Sequence, residues 1–200
     1  MAELGNSMSR NSILAGALCG IFAPIIFLIC YSIAWALSPW YVFGGHYLSD
    51  LGVHEGALAF NAGAVVAGIL AVPFAWSLWH LLPRTPVSSL GCFFLGASSA
   101  ALVGVGVFSE DFGTVHFAFS VTFFLLSLLA QLSLAWPLVK SSEFRIVGVV
   151  VTILMLATLV VLVPIGANPL GETIAVMEIL IWALIVATQT LRVVTGRAKV

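Results

Sequence analysis

The chain has 200 residues, 62% hydrophobic and 8% charged, with a mean hydropathy of +1.18 and a net charge of −1. A soluble domain carries about 25% charged residues, so this composition excludes a water-facing surface. Balanced charge with no basic stripe excludes a nucleic-acid partner.

The length predicts one compact bundle and no second domain. Spanning the hydrocarbon core takes about 20 apolar residues, and six stretches qualify: roughly 12–37, 57–82, 87–108, 114–139, 146–165 and 173–194. The first imitates a signal peptide, with Arg10 ahead of it and Ala34-Trp35-Ala36 behind. Its apolar run exceeds the roughly 7–15 residues of a signal core, so it reads as helix one. None of the six alternates as a barrel strand does, and open sheet edges are excluded inside lipid. The expected fold is therefore all-α, a six-transmembrane-helix bundle. Cys19, Cys30 and Cys92 sit singly in apolar runs and read as packing residues, with neither disulfide nor thiolate-metal spacing.

Charge sets an orientation. Arg10, Arg84, Lys140, Arg145, Arg192, Arg197 and Lys199 all fall in the tails or in the connections 83–86 and 140–145. Lys and Arg are retained on the cytoplasmic face, which predicts cytoplasmic N and C termini in a multi-pass cell-membrane protein. The opposite connections, 38–56, 109–113 and 167–171, carry the polar residues and are expected to converge on the extracytoplasmic side. Trp40, Tyr41, Phe43 and Tyr47 place the longest of them at headgroup level.

Within the helices, Gly16 and Gly20, and then Gly96, Ala100 and Gly104, form small-residue faces that let backbones approach closely. His116, Ser120, Ser127 and Gln131 fall within about 60° of one another on helix four, a polar stripe expected to face the bundle interior. Asn61 lies one turn into helix two. Glu178 lies about two turns below Glu172, and an ionisable group at that depth marks a functional candidate. It is expected to be neutral or paired, with Asn61 or Ser120 as candidate partners. His80, beside Trp79, reads as an interface anchor.

The segment His46-Tyr47-Leu48-Ser49-Asp50-Leu51-Gly52 is the densest in chemistry. Its imidazole, hydroxyl and carboxylate could hold a metal or polarise water; Ser49 and Asp50 could equally cap a short helix. His54 and Glu55 read as an exposed pair. Glu110-Asp111 adds two carboxylates, and the anion of Glu172 suits a helix N-terminus.

Together these residues are similar to a known family. Gly20-Ile21-Phe22-Ala23-Pro24, the His46–Gly52 segment, Phe60-Asn61-Ala62-Gly63, Gly106-Val107-Phe108-Ser109-Glu110-Asp111 with His116, and Glu172 ahead of Trp182 resemble the six-helix prokaryotic family of domain of unknown function 998. That family is related to Frag1-like membrane proteins. Ser109 departs from its frequent proline. The resemblance implies the fold but no established activity; the Frag1-like relatives imply lipid chemistry by analogy.

Three functions compete. One is a lipid-site binding or accessory protein, with membrane lipids or other membrane subunits as partners. A second is a metal-dependent hydrolase acting on a lipid or acyl substrate at the outer leaflet. There His46, Asp50, Asp111 and His116 would hold a divalent metal such as zinc. Glu110 would act as base, with Ser49 and Glu172 completing the catalytic set. The third is a small proton-coupled carrier built on Glu178, with Asn61 and Ser120 as the other intramembrane polar groups. A haem is disfavoured, because His80 and His116 belong to opposite sides of the membrane.

Overall fold

The computed structural model describes residues 2–196, with side chains from Arg10 onward; Arg197 and Lys199 of the basic set lie outside the described residues. Six helices run α1 (Ala2–Leu37), α2 (Ala57–Leu81), α3 (Pro86–Val107), α4 (Thr114–Lys140), α5 (Arg145–Ile165) and α6 (Pro169–Gly196). All six are long and apolar enough to cross a membrane, and no strand occurs among the described residues. A span buried in lipid must satisfy its own backbone groups, which the α-helix does. Phe22, Ile29, Leu58, Ile146 and Val163 are turned outward on three of these helices, α1, α2 and α5, as a lipid solvent permits and water does not.

The helix ends follow local chemistry. Thr85 caps α3, its hydroxyl accepting from the Ser88 amide at 3.2 Å, with Pro86 in the first turn. At α6 the reading 167–171 as a turn is corrected. The Asn168 side chain accepts from the Gly171 amide at 2.8 Å, and the Asn168 carbonyl from the Glu172 amide at 2.9 Å. Pro169 therefore opens the helix, since proline is tolerated at its first position. Glu172 consequently sits a turn inside α6.

The helices close a ring in chain order, each packing on the next and α6 returning to α1. Their small residues set how closely they approach. A side chain on Gly16 would meet the backbone carbonyl of Pro73 on α2, and one on Gly20 the Phe74 ring at 2.5 Å. Gly104 lies under the Phe119 ring. Gly96 differs from the expectation: nothing lies within 4 Å of it, so it is no part of a tight seam. The cysteines are free, and Cys30 packs on Gly63 of α2.

Two buried blocks fill the ring. At the end carrying the basic connections, Phe74, Leu78, Leu134, Leu138, Phe144, Trp182 and Val186 form a dense core. At the polar end, Phe27, Tyr31, Tyr41, Leu48, Leu51 and Phe60 form a second. The bundle is not filled between them.

Candidate functional site

The 38–56 loop folds back onto the polar end through short turns. Its helical turn at Ser49–Gly52 is held from both sides. Asp50 Oδ2 accepts from the Tyr47 amide at 2.9 Å, and Asn61 Nδ2 on α2 donates to the Gly52 carbonyl at 2.8 Å. Asp50 thus braces the turn from within, while Leu48 stands at its start with no side-chain cap, so the reading of Ser49 or Asp50 as the helix cap is corrected. Glu172 Oε2 on α6 accepts from the Leu48 amide at 2.8 Å, which pins the loop across the bundle axis. The Glu110–Phe112 turn between α3 and α4 packs against the same segment. Gly113, at φ +53°, then redirects the chain into α4, a conformation glycine adopts without strain.

Three carboxyl groups gather there: Asp50 and Glu110 from two connections, and Glu172 from the first turn of α6. Burial raises the Glu110 carboxyl to about 7, followed by the carboxyl of Asp50 facing it, then the charges of Glu172 and Asp111. Tyr41 is buried beside the cluster, its phenol pushed far above the ordinary range by burial, by neighbouring Tyr31, and by the charges of Glu172 and Asp50. The described basic side chains lie in the connections and helix ends of the opposite face. The cluster is thus a group of acids with no lysine or arginine to neutralise it.

The remaining candidates separate from this group. Asp111 is exposed and acts on Glu110 only through its charge. His46 Nδ1 accepts from the Val42 amide at 3.0 Å, with its ring edge-on to Trp40. Buried His116 joins Nδ1 to the Phe108 carbonyl at 2.7 Å and ties the start of α4 to the end of α3. The expected metal set of His46, Asp50, Asp111 and His116 therefore does not assemble. Among the described residues no three His, Cys, Asp or Glu side chains are placed to hold a metal ion. Each imidazole is already oriented by a local backbone group, a contact that residue spacing does not reveal. Trp40 also lies against His54 and donates to Glu55 Oε2 at 3.1 Å. Hydrogen bonds from the Glu55 backbone amide and from this indole hold the Glu55 carboxyl below its usual range.

Below the acids lies a cavity of about 110 Å³. Ser49, Leu48 and Glu172 form its upper wall, and Phe74 and Trp182 of the dense core close it below. Its sides are Ala64 and Ala67 of α2, Leu102 and Val105 of α3, and Phe123 of α4, while α5 takes no part. Ten residues of α6 separate the Glu172 and Trp182 levels, a rise of about 15 Å. One water needs ~10–15 Å³ of such space, so the cavity takes several waters or one slender chain. The α4 stripe lines it as expected through Ser120, Ser127 and Gln131. Asn61, by contrast, is a loop tie.

Glu178 is buried and paired. Gln131 Nε2 donates to its Oε2 at 2.9 Å, so the partner comes from α4 as anticipated but is neither Ser120 nor Asn61. Glu178 also borders an outer groove of about 230 Å³ between α5 and α6. Gln189, further along α6, donates to the Glu143 carbonyl at the basic end.

The architecture defines a class: a multi-pass membrane bundle of six helices, with an apolar interior cavity under an acid-rich mouth. The family described as "Protein of unknown function (DUF998)" matches residues 21–190, and the chain belongs to that family. No curated protein and no solved structure matches it.

Proposed function

We propose that this protein binds a membrane amphiphile with a cationic head, holding the head at Asp50, Glu110 and Glu172 and the chain in the interior cavity. The observation that carries this reading is the continuity of the two regions: Glu172 belongs to the acid cluster and to the cavity wall. A cluster of acids without a basic neighbour favours a cation, and the apolar walls favour an alkyl chain at about 0.8 kcal/mol per buried CH₂. The hydrolase reading lacks its ligand set, and a binding role needs none.

Binding of dodecylamine to the full chain in nanodiscs, followed by native mass spectrometry, tests the proposal. Ala67→Phe fills the middle of the cavity and is expected to weaken binding at least ~tenfold, from the several CH₂ groups it excludes. Unchanged binding in that variant would place the amine outside the cavity and remove the reading.

The retention rule for Lys and Arg puts the basic end in the cytoplasm, so we place the acid cluster on the extracytoplasmic side of the cell membrane. In a cysteine-free background, Asp111→Cys should react with an impermeant maleimide on intact cells. Ser142→Cys should react only after permeabilisation. The reverse pattern would turn the site toward the cytoplasm.

A further inference from the structure

The deep part of the cavity holds an unmet hydrogen-bonding demand. Gln131, 5% exposed, lines the cavity, and Glu178, 7% exposed, lies behind it. Their single bond runs from Gln131 Nε2 to Glu178 Oε2 at 2.9 Å. The other oxygen of each, Gln131 Oε1 and Glu178 Oε1, is buried without a partner. A carboxylate only accepts, so Glu178 requires the nitrogen of the Gln131 amide to face it. That choice leaves the amide oxygen for the cavity. Glu178 is thus a positioning residue: it decides that Gln131 presents an acceptor and not a donor.

An unbroken alkyl chain would seal this oxygen in a dry site with nothing to pair it. We propose that the occupant carries an O–H or N–H donor in mid-chain, received by Gln131 Oε1. This rests on the amphiphile reading above and narrows its ligand class to a functionalised chain. The head-to-donor spacing follows from α6: six residues separate Glu172 from Glu178, a rise of about 9 Å. Ser120 and Ser127 lie on the same wall, nearer the mouth, and extend the polar stripe along the occupant's path. Among the described residues lining the groove no other titratable side chain occurs: α5 offers Leu154 and Thr158, and the loop offers Phe43, while α4 offers Gln131 to the pair. On α6, Thr173, Ile174, Met177 and Ile181 share the groove.

Dodecylamine and its mid-chain hydroxyl derivative, titrated against the full chain in nanodiscs, separate the outcomes. The hydroxylated amine is expected to bind about tenfold tighter, the size of one hydrogen bond to a buried acceptor. In Gln131→Leu this preference should vanish or reverse. The comparison on the unaltered chain decides the question even if the variant fails to fold. Equal or weaker binding of the hydroxylated amine would overturn the inference and leave the amphiphile reading standing, because the pair would then satisfy itself, for instance through a proton on Glu178. Binding of neither amine would remove both.

Discussion

Gly16→Leu is expected to destabilise the bundle by about 3 kcal/mol or more, at the upper end of overpacking costs. The new Cβ would overlap the Pro73 carbonyl oxygen and come within 2.8 Å of the Ser77 Cβ. A side chain can rotate away from such a clash, but a carbonyl inside α2 moves only with its helix. The interface at stake, α1 on α2, is the most extensive in the ring. Gly96→Leu supplies the control, since that position opens on empty space and should shift stability by no more than ~0.5 kcal/mol. Unfolding followed by circular dichroism in detergent measures both. Equal stability of the two variants would refute the account of close approach.

Removing the titration of Glu110 should change how the protein responds to pH. Its carboxyl lies at about 7 in the fold against an ordinary 4.5, raised first by burial and then by Asp50, Glu172 and Asp111. The folded state therefore holds the proton more tightly than the unfolded chain. That stabilisation is complete below 4.5 and is lost as pH rises toward about 7. Glu110→Gln carries no such proton. The variant should match the parent in acid and become the more stable of the two above neutrality, with the difference opening across that window. Binding moves in the opposite direction, because a cationic head needs the ionised carboxyl. An alkylammonium keeps its charge through this range, so parent affinity for dodecylamine should rise with pH by roughly thirtyfold, the scale of a charge-assisted hydrogen bond. In Glu110→Gln the rise should be markedly smaller than in the parent. If the variant keeps the parent's slope, the titrating group is another one, and Glu110 is not part of the head site.

The sequence alone determined the six spans, because crossing lipid depends on the summed hydropathy of neighbouring residues, a local and additive property. The helices α2 to α5 begin and end within a residue of the predicted bounds; α1 ends where expected but reaches back to Ala2, and α6 starts earlier because Asn168 and Pro169, read as turn formers, act as its cap and first residue. Family membership was legible for a similar reason, since its motifs are contiguous words such as His46–Gly52 and Gly106–Asp111. All three members of the acid cluster were named from residue type and position in the polar connections. Which candidates share the site was decided only in three dimensions. His46 and His116 were grouped with the acids, but each ring is turned by a backbone group, of its own loop for His46 and of the end of α3 for His116, and composition does not distinguish an oriented imidazole from a free one. Glu178 was marked by its depth, while its partner depended on how α4 rotates against α6, a matter of packing rather than pattern. The cavity was least legible of all. It is a volume left unfilled by side chains from five helices and a loop, and a void belongs to no residue.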